Sequence, residues 1–502
     1  ACIIYGATGL GETFIRGAQD YYFFDIQGIS AARFTQIEGF SRIPWEIKAL
    51  YGMLSDSLSF CGLRRTPYLI MSGFIGATAG FSLWTVPVGV TGAAGFLTLA
   101  QLAVALADVM IDGSSGEKAH LRPDMASDLQ AAMHCASYMV GFCGDVAVGY
   151  LVEPNMLGSR GVFGLFIITA LSFGIPSAAG WMEENLEDEA PHDVGRMLGL
   201  YTKPKPDPFA KAQDAVQANP IVGKETPGKL ERVVSAEEQA AHDRDMEIAS
   251  RVRGPIFAAA VLNSTMSLIL GIINLFYTGG NKAEFLGSLT LTCGVVMTVV
   301  LWHVLSPVST DLAKAAIYIF LEGAFHPHTA VIFQWSHSDG DNHGNCSGNC
   351  DSEVDDDCGW ARSRDYPCIE PALYGWAKAM ARIFGLLGVV LYATYFSTWR
   401  YKQIFAFGHA VYFLANMLDL VWVTRTNISL GINDELFLFG SDIIQPVLRK
   451  LHTMPILILS AKLCPKSVEA TLFALMMGVW NFGSSMGKYN GVALLYMFGG
   501  VE

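Results

Sequence analysis

Charged side chains are scarce in this chain of 502 residues: they make up 16% of it, against roughly 25% in ordinary soluble domains. Where they are missing matters more. Tyr68 to Ala107 holds no Asp, Glu, Lys or Arg, and neither do Gly161–Met182 and Gly254–Asn281. Runs of that length have no polar face to turn toward water, which excludes a large soluble helical core. A nucleotide-binding P-loop is also missing, so ATP-driven pumping has no support. No basic patch interleaved with aromatics is present, which argues against a nucleic-acid partner. No nucleophile–base pair or metal cluster falls in the apolar runs, so neither an enzyme nor a cofactor is expected. A cleavable signal peptide is not visible, and a first residue of Ala1 rather than Met reads as a segment trimmed from a longer protein.

What is present is apolar length. About 20 apolar residues, at about 1.5 Å rise each, cross a hydrocarbon core of about 30 Å. Backbone groups in lipid must bond within their own segment, so the runs are expected to be helices. Spans are predicted near 4–24, 33–54, 67–87, 92–112, 127–152 and 161–181, each to within about four residues. A polar linker, 183–253, follows with Lys203-Pro-Lys-Pro-Asp-Pro208 and a charged, Ala-rich stretch, Ser235–Arg253, that suits a surface helix. Seven more spans are predicted near 254–278, 283–305, 312–335, 372–397, 403–424, 437–463 and 468–488, with Tyr489–Gly500 as the opening of another. The expected class is an all-α polytopic membrane protein whose partner is the lipid bilayer.

Basic residues set the orientation. With the N-terminus in the cytosol, the inner loops collect Arg64, Arg65, Lys118, Arg122, Arg400, Lys402, Lys462 and Lys466, while the outer loop 336–371 is acidic. The sequons at Asn345 and Asn427 then fall outside, where glycosylation is expected, and a third at Asn263 lies inside a span. The net charge of −13 comes largely from Glu183–Glu189 and Asp339–Asp357, outside the spans. Cys346, Cys350, Cys358 and Cys368 crowd the outer loop and are expected to pair as two disulfides, in any of three connectivities. With His337 and His343 nearby, a zinc site is the alternative, though the spacing is not that of a usual zinc module.

Ionisable residues inside spans are costly and are functional candidates by default. Glu12, Arg16 and Gln19 share one helical face. Lys48, with Glu46 close by, lies a turn before Gly52; Asp108 and Asp112 stack four apart; Asp145 interrupts the fifth span. Glu322 and His326 form another four-residue pair, and Asp419 lies in a later span. Either these groups form ion pairs that lock helices together, Arg16 or Lys48 with Asp108 or Asp112 for instance, or they line a polar path through the bundle. Close carboxylates repel, which suits the Asp108/Asp112 pair to proton exchange near neutrality.

Six spans, a hydrophilic linker and a second group of spans is the layout of major-facilitator transporters. Gly52 through Asp56, followed by Arg64 and Arg65, is similar to the cytosolic latch between their second and third helices. Several stretches resemble the folate–biopterin transporter family: Pro44-Trp-Glu-Ile-Lys-Ala-Leu-Tyr-Gly-Met-Leu-Ser-Asp56, in which Ala49 replaces a proline, Gly62-Leu-Arg-Arg-Thr-Pro-Tyr68, and Ala107-Asp-Val-Met-Ile-Asp112. Asn427-Ile-Ser-Leu-Gly-Ile-Asn-Asp434, Leu463-Cys-Pro-Lys-Ser-Val-Glu-Ala-Thr-Leu-Phe-Ala-Leu475 and Asn481-Phe-Gly483 continue the likeness into the second half.

The resemblance implies a two-lobe bundle of twelve core helices importing folate or pterin, coupled to protons, in a plasma or plastid membrane. It carries Lys48, Asp56, Arg64, Asp108, Asp112 and Glu469 over as motif positions. On this reading 1–182 is the first lobe and 183–253 a cytosolic linker. Residues 254–306 are an inserted helix pair, of the kind associated with protist members, and 307–502 is the second lobe, with the final core helix absent or beyond Glu502. The substrate set is Arg16, Gln19, Lys48, Asp108, Asp112, Glu322 and His326, and the gate is Gly52, Asp56, Arg64, Arg65 and Glu469. Arg16 or Lys48 would take the glutamate tail of a folate, and Asp108 or Asp112 the ring edge or the coupling proton. A carrier of another small organic solute, or a non-transporting subunit of a membrane assembly, remains an alternative.

Overall fold

The structure, a computed structural model, describes residues 2–121, 126–180, 192–197, 236–277, 282–337, 367, 369–462 and 469–498. The first predicted span forms α1 (Cys2–Tyr21), continued by a π-helical turn, Tyr22–Ile26. The second predicted span is three pieces, α2 (Ala31–Ser41), α3 (Ile43–Glu46) and α4 (Lys48–Ser57). Pro44 starts α3, since proline is at home in a first helical turn and lacks the N–H to continue the preceding helix. Then come α5 (Thr66–Thr85), α6 (Val90–Leu121), α7 (Ala126–Leu151), α8 (Gly158–Ala178) and the short α9 (Val194–Met197). Two-residue strands β1 (Leu58–Ser59) and β2 (His192–Asp193) pair in parallel, Leu58 opposite His192.

In the second half, α10 (Ala236–Phe276) runs unbroken from the charged stretch into the apolar run, where a separate surface helix was expected. It is followed by α11 (Lys282–Leu305), α12 (Thr310–Ala324) and α13 (Val331–His337). The predicted span 312–335 is therefore broken, and Pro327 is the reason: it cannot donate to the helical ladder and its ring clashes with the preceding turn. Next are α14 (Pro371–Leu391) with a π-helical turn to Phe396, α15 (Tyr401–Val423), α16 (Thr426–Ser429), α17 (Asp434–Lys462) and α18 (Glu469–Met497). Tyr489 to Met497 extend α18 rather than opening another span.

Among the described residues, six stretches are long and apolar enough to cross a membrane: Val90–Ser114, Gly158–Ala178, Gly254–Phe276, Glu284–Leu305, Pro371–Phe396 and Tyr401–Val423. Most other predicted spans are interrupted by ionisable residues or helix breaks; α5 is unbroken and free of charge but rich in Gly, Ser and Thr. One buried core joins α1, α2 and α5 to α8, with α5 against α8 and α1 against α7 as major seams. A second joins α10, α11, α12, α17 and α18 and includes Ala49 of α4. The two groups meet along α7 against α14 and along α2–α4 against α18. Lipid offers helices no hydrophobic gain on pairing, so such seams rest on close packing of small residues. At Gly149 and Gly375 the backbones touch: a Cβ on Gly375 would stand 2.6 Å from the Asp145 carbonyl oxygen, and one on Gly149 2.8 Å from that of Pro371.

Candidate functional site

The ionisable residues of the first group form one string. On α1, Arg16 pairs with Glu12 at 2.8 Å, and Arg42, at the end of α2, reaches the same Glu12 oxygen at 3.3 Å. Arg42 lies 5.5 Å from the centroid of Trp45, and the Lys48 ammonium stands 4.2 Å from it. The indole N–H of Trp45 donates to Gln101 Oε1 at 2.8 Å, fixing the ring. Lys48 then pairs with Asp108 of α6. A half-buried aromatic between two cations holds them apart without neutralising either. Lys48 and Asp108 are thus the locking ion pair that the sequence offered as one alternative, whereas Arg16 is half exposed. Asp112 is exposed one turn further along α6, and Tyr5 lies within electrostatic range of both aspartates.

Two neighbours depart from expectation. Gln19 is buried, whereas Arg16, three residues before it, is exposed. Glu46 turns away from Lys48 and is buried against other helices, accepting hydrogen bonds from Ser267 of α10 and Ser485 of α18. Asn263 donates its amide to the Glu46 carbonyl at 3.1 Å, which occupies the sequon inside the span.

A second cluster occupies the other group. Glu322 of α12 lies 3.6 Å from His452 of α17. His326, past the end of α12, meets Tyr412 of α15 at 3.4 Å, and Tyr412 stacks on His452. His409 Nδ1 donates to the Phe405 carbonyl at 2.7 Å, and its Nε2 meets His452 Nε2 at 3.2 Å. Glu322 and His326 therefore share a cluster but not a helix face. Sequence reasoning missed His409, Tyr412, His452 and Arg449; a lone Arg inside the predicted span 437–463 was the available signal. His328 lies within electrostatic range of Glu38, Lys488, Arg449 and His326, which links the two clusters.

Among the described residues, ion pairs bridge the groups between Glu38 of α2 and Lys488 of α18, Asp145 of α7 and Arg382 of α14, and Asp20 of α1 and Lys378 of α14, the last at 3.4 Å. Arg382 also donates to Thr13 at 2.7 Å. Asp419 accepts from Gln445 at 3.0 Å and stays within its own pair of helices.

At the expected cytosolic end Arg65 is buried and donates to Ser55 at 2.9 Å. A Cβ on Gly113 would stand 2.5 Å from its guanidinium, whereas one on Gly52 would meet only Val109, at 3.8 Å. The close approach expected at Gly52 is made at Gly113. Arg64 is half-buried, and the side chains of Asp56 and Glu469 lie outside the described residues.

Cys346, Cys350, Cys358, Cys368, His343 and Asn345 also lie outside the described residues. His337 packs between Tyr21 and Phe333 and stands 3.7 Å from Asp25. Glycosylation at Asn427 is overturned: the residue is fully buried, and the nitrogen that would carry a glycan donates to Ile432 O at 3.2 Å and Asp434 at 2.9 Å. Asp434 also receives both Arg425 nitrogens, at 2.6 and 2.8 Å, and the Trp422 indole at 2.9 Å.

A family model described as the BT1 family matches residues 8–502. The probable folate-biopterin transporter 2 of Arabidopsis thaliana is 23% identical over 98% of this chain and 74% of its own length. The folate-biopterin transporter of Synechocystis sp. is 24% identical over 99% of this chain and 74% of its own. Among solved structures, a peptide transporter POT in complex with sulfate aligns with a TM-score of 0.59 at 14% identity, over 99% of this chain and 87% of that one. A POT family transporter in complex with 5-aminolevulinic acid aligns with a TM-score of 0.58 at 13% identity, over 99% of this chain and 90% of that one. At such identity the likeness speaks for the fold, a major-facilitator-type helical bundle in the membrane.

Proposed function

The chain belongs to the BT1 family, and from that premise we propose that it carries folate- or pterin-type solutes across its membrane by alternating access, coupled to protons. The observation that supports this most is a set of ionisable side chains on helices of both groups: Lys48 with Asp108, Arg16 within electrostatic range of Glu38, Glu38 paired with Lys488, and His328 beside that pair and within range of His326. Charges at that depth are retained where a cavity or a partner uses them.

The lobes in this proposal are 1–182 and 307–502, with 183–253 as a cytosolic linker and 254–306 as an added helix pair. Arg16, Gln19, Lys48, Asp108, Asp112, Glu322 and His326 serve the solute, with a pterin ring edge on a carboxylate and its face on an aromatic ring. Asp108 and Asp112 exchange the coupling proton. Asp108 already holds Lys48, so protonating it would release an ammonium for the solute. Gly52, Asp56, Arg64, Arg65 and Glu469 form the cytosolic gate. The ion pairs Asp145–Arg382, Asp20–Lys378 and Glu38–Lys488 close the opposite side and must part for the solute to enter there.

The test is an uptake panel in proteoliposomes with folate, biopterin and unrelated small metabolites, read with an internal pH dye. Saturable uptake of folate or biopterin with lumenal acidification is expected. Uptake of an unrelated solute alone would overturn the substrate class; uptake without a pH change would overturn the coupling.

A further inference from the structure

Arg449 lies fifteen residues from the start of α17 at Asp434 and thirteen from its end at Lys462, near the middle of a helix long enough to span a bilayer. It is exposed, and among the described residues it has neither a hydrogen bond nor an ion pair. The other cations of the candidate site differ: Arg16 holds Glu12, Lys48 holds Asp108, Lys488 holds Glu38 and Arg382 holds Asp145. Its neighbour Lys450 points elsewhere, packing along α14 at Gly388 with its ammonium toward Tyr138.

The surroundings of Arg449 fix where it looks. It lies within electrostatic range of His326, His328, His452 and Glu322, which come from α12, the segment after it, and α17 itself. His452, three residues on and on the same helical face, is buried against His409 and Tyr412. Arg449 therefore lies on the side of α17 that carries the polar cluster. Glu322, the carboxylate in range, is within 4 Å of His452 and not of Arg449. A guanidinium offers paired donors in one plane, the geometry that fits a carboxylate's two oxygens.

We propose that Arg449 is the carboxylate-receiving residue of the carried solute, the anchor for the glutamate part of a folate, with His326 and His452 closing the site around it. This rests on the transport reading above and adds a specificity determinant to it: solutes that bear a carboxylate need Arg449, and uncharged pterins do not.

The experiment compares the whole protein with Arg449→Gln and Arg449→Lys in three measurements: folate uptake, biopterin uptake and calorimetric binding of p-aminobenzoylglutamate, which carries the two carboxylates without the ring. Arg449→Gln is expected to weaken binding of the probe and to raise the KM for folate at least tenfold, with biopterin uptake unchanged, which also reports correct folding. Arg449→Lys should recover part of the loss, keeping charge without the planar fork. The proposal is overturned if Arg449→Gln binds the probe as the wild type does, if the wild type does not bind it, or if folate and biopterin uptake fall together. A wild type that binds the probe through Arg449 but transports neither solute would sink the transport reading and leave the anion site standing.

Discussion

The pair between Asp145 and Arg382 joins α7 to α14 and lets the proposed closure be measured. Asp145→Asn removes the carboxylate and leaves the guanidinium where it is. Losing one member of a buried pair costs about 3–5 kcal/mol. Arg382 is 27% exposed and keeps the Thr13 hydroxyl, so the figure here falls to about 2–3 kcal/mol. If the pair exists only with the outer side closed, that energy shifts the balance between closed and open states by about 30- to 150-fold, at about 1.4 kcal/mol per factor of ten. Val148, buried beside Gly17 one turn from Asp145, is the reporter. In a Val148→Cys background, labelling by a membrane-impermeant maleimide should accelerate by that order in Asp145→Asn. Adding Arg382→Gln, which leaves neither charge stranded, should return the rate most of the way. Labelling at the wild-type rate in Asp145→Asn, or effects of the two changes that simply add, would refute the argument.

Gly375→Val should cut uptake at least tenfold, because the new side chain meets the Asp145 and Gly149 backbones, which cannot yield; Gly440→Ala, with open space around it, should leave uptake unchanged. Asp434→Ala strands the guanidinium of Arg425, whose side chain is 14% exposed, and should cost about 3–5 kcal/mol of stability, visible as an earlier thermal transition in detergent. An unaltered transition would remove the ion pair's structural role. Asn427→Gln should leave the protein's glycosidase-sensitive mobility as it was, since the wild-type amide is buried and occupied; a lost band shift would contradict this.

Much of the fold was readable in where charges are missing. The charge-free run from Tyr68 to Ala107 contains nearly all of α5 and the apolar part of α6, and Gly161–Met182 contains most of α8. Helix breaks were less legible. Pro44 and Pro327 interrupt spans that hydropathy alone draws as continuous, because hydropathy does not register a missing N–H. At the site, the pairing of Lys48 with Asp108 was anticipated as one possibility. The spacing that suggested a shared face for Glu322 and His326 required a helix that Pro327 ends. The cluster of His409, Tyr412 and His452 was beyond reach, since its members lie on different helices and no local spacing links them. Arg382 and Arg449 were legible in principle: each is an Arg inside an apolar span, the criterion that singled out Arg16.

The four donors gathered on Asp434 have a mechanical consequence. Trp422, Arg425 and Asn427 clamp the end of α15 to the first residue of α17, so the corner between these helices has no slack. A tilt of one helix at this corner is then passed to the other, with His409 and Tyr412 on one arm and Arg449 and His452 on the other. In the anion site proposed for Arg449, a motion that moves the guanidinium would then move the imidazoles with it.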